Sequence, residues 1–270
     1  VSGDPVTTAR EGALVRYEVS PSGVATVTLD DPATRNALRD PLLDDLLARL
    51  EHARADPAVR VVVLASADDR VFSSGGDLKS FASDTPLIEK YAGIDRFPRL
   101  FRLLGGLGKP TICAASGDVL AGAFGLALAC DLVVAREDTR FGCPEIKVGV
   151  FPFMISALLY RSVPRAVANE LMMTGRMISA VQAAELHIVN AVVPAADFDE
   201  EVGRWAGLVA SRSPLLMRMG KQALDATRDL PLDAALDYLR AQLALAFGTE
   251  DLREGVSAFR DKREPRWTGR

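Results

Sequence analysis

The chain has 270 residues, 49% hydrophobic and 25% charged, with a formal net charge of −4. That length and composition suit one large soluble domain, or a domain with an appendage. The acidic balance argues against a nucleic-acid partner, which needs a basic surface. Two histidines, His52 and His187, and three cysteines without metal-type spacing, Cys113, Cys130 and Cys143, leave little material for a metal centre or a His-based triad. The odd thiols read as buried and reduced. No apolar run approaches the roughly 20 residues of a membrane span, so no membrane partner is expected and the cytoplasm is the default location.

In chain order, residues 1–13 read as a disordered lead-in. Leu14–Val19 and Val24–Leu29 flank a Pro/Gly turn and predict a β-hairpin. Asp40 is the expected N-cap and Pro41 the first residue of a helix whose Leu42, Leu43, Leu46, Leu47 and Leu50 share one face. Arg60–Ala65 is a continuous apolar run too short for a helix, hence a buried strand. A helix over roughly Pro86–Leu104, a strand at Thr111–Ala115, a helix over Gly122–Cys130 and a strand at Leu132–Ala135 follow. This alternation predicts an α/β core with largely parallel pairing over residues 14–195. From 196 to 270 only helices are expected: one capped by Ser213-Pro214, one over Leu230–Phe247 and one over Glu250–Arg260.

Two segments carry the chemistry. Phe72-Ser-Ser-Gly-Gly-Asp-Leu-Lys79 and Gly117-Asp-Val-Leu-Ala-Gly-Ala-Phe-Gly125 are small-residue loops, each followed by a helix-like apolar stretch. Loops of this kind can aim backbone N–H groups at a developing oxyanion. Glu145 follows Pro144 among Ile146, Val148, Val150, Phe151, Phe153 and Met154. A carboxyl in such a setting, if dry, titrates near neutrality and suits a general base. The plainer reading of Glu145 is a surface glutamate paired with Lys147 or Arg140.

Together with Arg35-Asn-Ala-Leu38, Lys109-Pro110, Phe141-Gly-Cys-Pro-Glu-Ile-Lys-Val-Gly149, the Thr174-Gly-Arg176 to Pro194 stretch and Phe259-Arg-Asp-Lys-Arg-Glu-Pro265, these loops resemble the crotonase (enoyl-CoA hydratase/isomerase) superfamily from about Tyr17 to Trp267. The resemblance implies a spiral core of ββα units with a helical C-terminal trimerisation region, and a homotrimer or a hexamer of paired trimers. It implies an acyl-CoA thioester as substrate, with coenzyme A entering as part of that substrate and no separate cofactor. It places the oxyanion donors at the N–H groups of Gly76 and Gly122 and the catalytic base at Glu145. Contacts to substrate or CoA fall to Arg35, Ala37, Gly76, Asp77, Leu78, Lys79, Gly122, Phe259 and Lys262.

Three positions depart from the family pattern. His187 stands where relatives carry a helix-closing glycine. The second loop reads Ala121-Gly122-Ala123 rather than three glycines. Gly125 stands where hydratases carry the first of two catalytic glutamates. Water addition uses a carboxylate pair, whereas moving a double bond from the 3- to the 2-position needs one base. The reading is therefore an isomerase working through Glu145. The alternatives are a hydratase that positions water with another group, Asp118 for instance, and a non-catalytic acyl-CoA-binding protein. A substitution Gly125→Ala is expected to be mild provided the methyl fits.

Overall fold

The computed structural model describes residues 6–7, 13–77 and 83–270. Strand β1 (Val6–Thr7) pairs antiparallel with β2 (Val15–Val19), and β2 with β3 (Val24–Leu29), so the hairpin forms as predicted. The expectation of an unstructured lead-in is corrected at Val6–Thr7, where the open edge of β2 supplies hydrogen-bond partners.

Helix α1 (Asp40–Ala55) buries the five predicted leucines, each contributing about 2 kcal/mol of apolar burial. Its N-cap is Arg39 and not Asp40. Asp40 lies inside the first turn and turns its carboxylate to Arg96 at 3.1 Å.

Three units then repeat one pattern. Strands β4 (Val61–Ser66) and β5 (Val71–Ser73) precede helices α2 (Leu87–Ile94) and α3 (Arg96–Gly105); β6 (Thr111–Ala115) and β7 (Asp118–Leu120) precede α4 (Gly122–Ala129). Strands β8 (Leu132–Arg136) and β9 (Arg140–Gly142) precede α5 (Phe153–Ser162) and α6 (Arg165–Thr174), after which come β10 (Met177–Ser179), α7 (Ala180–Glu185) and β11 (Ala191–Val193). The first strand of each unit joins a sheet ordered β1-β2-β3-β4-β6-β8-β11, and the second joins one ordered β10-β9-β7-β5. Neighbours from β3 to β11 in the larger sheet, and β5-β7-β9 in the smaller, run parallel. Each ββα unit advances both sheets by one strand, which makes the core a spiral.

The single helix expected over 86–104 is two helices meeting at Asp95. Pro98 lacks the N–H that would bond the Ile94 carbonyl, so an unbroken helix cannot pass that point fully bonded. The break sets α3 against α4 and so positions the site.

The last third is helical as predicted: α8 (Phe198–Ala210), α9 (Pro214–Thr227), α10 (Leu232–Phe247) and α11 (Glu250–Arg260). Ser213 Oγ caps α9, accepting from the Leu216 N–H at 3.1 Å. Helix α9 is fastened to the core by Lys221, whose Nζ donates to Asp131 Oδ2 at 2.7 Å. The same oxygen accepts from the Thr111 N–H at 2.6 Å. Helix α10 buries none of its residues. His187 takes a left-handed conformation (φ 60) after α7, a backbone state that favours glycine. The three cysteines are free. Among the described residues no helix is long and apolar enough to cross a membrane, and no group of three or more His, Cys, Asp or Glu could hold a metal.

Candidate active site

The two glycine loops meet because their backbones interlock. Leu38 N–H donates to the Gly75 carbonyl at 2.8 Å, and Ser74 N–H to the Arg35 carbonyl at 3.0 Å. A trans peptide points its C=O and N–H in opposite directions, so the Gly76 N–H faces away from Leu38. In the second loop the Ala121 carbonyl accepts from Phe124 at 2.9 Å and Gly125 at 3.3 Å, at the start of α4. By the same planarity the Gly122 N–H points away from the helix, where the N-terminal dipole adds positive potential. Gly76 and Gly122 both line one cavity of about 390 Å³.

Glu145 lines that cavity too. It rides on a 3-10 turn (Pro144–Val148) directly after β9, closed by Gly149 at φ 87. Its Oε2 is buried without a hydrogen-bond partner. Burial pushes its carboxyl up to about 7, a backbone hydrogen bond offsetting this in part. The surface-pair alternative fails for Arg140, whose guanidinium holds both oxygens of Asp118 at 2.8 and 2.7 Å. That pairing also removes Asp118 as a substitute base: it is not among the cavity-lining residues. The rest of the wall is apolar, including Ile94, Phe97, Val148, Val150, Phe151 and Met154, with Ser74 the other polar side chain among the described residues. Ile146 does not line it. In one apolar cavity, a carboxyl with a buried, unpaired oxygen can remove a proton next to a carbonyl while two N–H donors hold the resulting oxyanion.

Gly125 is buried, and a Cβ built there would lie 2.6 Å from Phe101 Cζ and 3.2 Å from its Cε1. The condition set for a mild Gly125→Ala, that the methyl fit, is met only if the end of the Phe101 ring shifts.

The remaining predicted contacts are scattered. Arg35 is exposed with φ 55, and Ala37 is half-buried, its N–H donating to Thr34 Oγ1 at 3.2 Å. Asp77 follows Gly76 and is half-buried. Leu78 and Lys79 lie outside the described residues. Phe259 is 88% exposed near the end of α11, and Lys262 follows that helix with φ 51; neither lines the cavity.

Asn36 is a positioning residue that sequence reasoning passed over. It is fully buried. Its Oδ1 accepts from Asp31 N–H at 2.7 Å, and its Nδ2 donates to Ser66 Oγ at 2.9 Å and the Phe72 carbonyl at 3.0 Å. Its own carbonyl accepts from Ser73 Oγ at 2.6 Å. It thereby ties the loop before α1 to the strand that delivers Gly76. Its left-handed φ of 52, a state asparagine tolerates, is the reason it fits there.

Ala121 carries φ 53 and ψ −127, a conformation open to glycine and strained for alanine. Ala121→Gly is expected to raise unfolding stability by about 1 kcal/mol, strain relief exceeding the added chain entropy. Urea denaturation measures it; an unchanged or lowered midpoint refutes the strain.

Residues 20–270 match the model of the family described as "Enoyl-CoA hydratase/isomerase". A putative enoyl-CoA hydratase of Thermus thermophilus is 37% identical over 252 residues, covering 93% of this chain and 99% of the relative. The 2,3-dehydroadipyl-CoA hydratase of Escherichia coli is 37% identical over 248 residues, covering 92% and 96%. The crystal structure of an enoyl-CoA hydratase from Mycobacterium smegmatis superposes with a TM-score of 0.90 at 30% identity, covering 94% of this chain and 98% of that one. On these matches, the chain belongs to the enoyl-CoA hydratase/isomerase family.

Proposed function

We propose that this protein is an enoyl-CoA isomerase that uses Glu145 as its one base. Glu145 takes a proton from C2 of a 3-enoyl-CoA, the charge moves onto the thioester oxygen between the Gly76 and Gly122 N–H groups, and the proton returns at C4. The observation that carries this reading is one carboxyl among the described residues of an apolar cavity, its Oε2 buried without a partner, with the Phe101 ring over Gly125. A second reading, hydration of a 2-enoyl-CoA, is favoured by the names of the relatives at 37% identity. A silent acyl-CoA-binding protein is disfavoured, because a carboxylate oxygen buried without a partner is costly and has no purpose in a scaffold. Incubation with 2-enoyl- and 3-enoyl-CoA and mass analysis of products separates the three: equal mass with a shifted double bond, mass increased by one water, or no change.

The apolar wall favours hydrocarbon acyl groups. An acyl chain ending in a carboxylate should react with kcat/KM about 100-fold lower than a hydrocarbon of equal length, since its charge would be buried without a partner. Comparable values would refute this. Arg35 and Lys79 are suited to CoA phosphates, Ala37, Asp77 and Leu78 to the thioester end, and Phe259 and Lys262 to the nucleotide of a neighbouring subunit's substrate. The buried, unpaired thiols Cys113 and Cys143 fit a reducing compartment such as the cytoplasm.

Leu232, Leu236, Leu239, Leu243 and Phe247 form one stripe along α10, all substantially exposed in the single chain. A stripe of this extent favours self-association into trimers or hexamers. Light scattering at micromolar concentration should give a multiple of the chain mass; a monomer mass would refute it.

A further inference from the structure

A second cavity, of about 630 Å³, adjoins the catalytic one, and Phe153 and Met154 wall both. Its lining sets Arg102, Arg161, Lys221, Asp131 and Asp225 among apolar residues such as Leu128 and Leu224, so water entering it finds hydrogen-bond partners at the charged groups. Two rings stand where the cavities approach each other. Phe97 lines the catalytic cavity and Phe101 the second one, with ring centroids 6.3 Å apart. They sit one turn apart on α3 and face two glycines one turn apart on α4. A Cβ at Gly122 would lie 2.8 Å from Phe97 Cε1, as one at Gly125 would lie 2.6 Å from Phe101 Cζ. The glycines thus let both rings press onto α4. Ile155, which lines the catalytic cavity, lies 3.5 Å through its Cγ1 from the same point over Gly125.

We propose that Phe101 is the residue that decides the reaction outcome, its ring over Gly125 keeping water that enters the second cavity from the acyl carbons that Glu145 serves. The inference rests on the isomerase reading and adds the device that enforces it. In the double-bond shift one C2–H bond breaks and one C4–H bond forms, with the electron pair passing through the enolate; no atom is gained. In hydration a water oxygen bonds C3, one water proton goes to a base, and C2 takes a proton. That needs a water beside C3 and a second group to handle its proton, and a phenyl ring provides neither. Removing the ring opens the active site toward a space whose wall carries charged groups able to hold water. An isolated apolar void would stay dry.

The test follows products from 2-enoyl- and 3-enoyl-CoA by mass for wild type, Phe101→Ala, Phe101→Leu and Phe101→Ala combined with Gly125→Glu. Wild type should return isomer. Phe101→Ala should raise the hydrated share about 10-fold, and the double variant, which gains a carboxylate with room for it, about 100-fold. Phe101→Leu keeps an apolar plug and should hold the wild-type ratio, an outcome that loss of packing alone would not distinguish by residue type. Phe101→Val replaces Phe101→Ala if the latter fails to fold. A hydrated share at the wild-type level in folded Phe101→Ala (or Phe101→Val) and in the double variant overturns the proposal while leaving the isomerase reading intact. Wild type that yields no isomer from either substrate overturns that reading, and this inference with it.

Discussion

Glu145→Gln is expected to lower kcat at least about 100-fold while KM changes little, because the amide keeps the shape and loses the base. Since burial holds the carboxyl up at about 7, wild-type kcat/KM should rise with pH through that value and then level, as the ionised form takes over. Stability moves the other way. The folded pKa lies above the ordinary value of 4.5, so below 4.5 both folded and unfolded states hold the proton and nothing is lost. Between 4.5 and about 7 the unfolded chain ionises while the folded carboxyl keeps its proton, so stability falls across that window and levels off above it, once the folded carboxyl ionises too. Glu145→Gln removes that loss. It should therefore match wild type near pH 4 and exceed it near pH 8 by up to about 2 kcal/mol, after discounting for the side chain's partial exposure. Denaturant titrations at the two pH values check the sign. Near-normal turnover in Glu145→Gln would end the one-base mechanism, and Asp118, held at both oxygens by Arg140, could not take over.

Much of this was legible in the chain because it depends on local pattern. The leucine face of α1, the buried strand beginning at Val61 and the Ser213 cap each follow from residue type and spacing, and each is present. The two glycine loops and Glu145 were legible as candidates, and the structure brings Gly76, Gly122 and Glu145 to one cavity. What escaped the sequence is set by distant contacts. Asp40 gives up its capping role to Arg96, 56 positions further on. Asn36 counts for its hydrogen bonds to Ser66 and Phe72 and not for any local signal. Phe101 was invisible as a partner of Gly125, because no periodicity links two side chains on different helices. The break at Asp95 had a local cause in Pro98, and reading that proline as a helix breaker would have found it.

Gly75→Ala should damage the enzyme more than its distance from the reacting atoms suggests. Gly75 has φ 83, and a Cβ there would lie 2.8 Å from the Leu120 carbonyl oxygen and closer still to the Ala121 methyl. The obstacle is largely backbone, which has no rotamer to yield, so the loops of Gly76 and Gly122 must part. Losing alignment of one oxyanion donor costs about 3 kcal/mol of transition-state stabilisation, or on the order of 100-fold in kcat. The left-handed alanine adds about 1–2 kcal/mol of destabilisation. Gly122→Ala is the control. Its Cβ would meet only the ends of the Phe97 and Leu38 side chains, at 2.8 and 2.9 Å, and its N–H stays in place, so its loss of kcat should be about 10-fold smaller. If Gly75→Ala, folded and saturated with substrate, keeps kcat within about 3-fold of wild type, the two N–H groups are not acting as a pair across this contact, and the charge on the thioester oxygen must be met elsewhere.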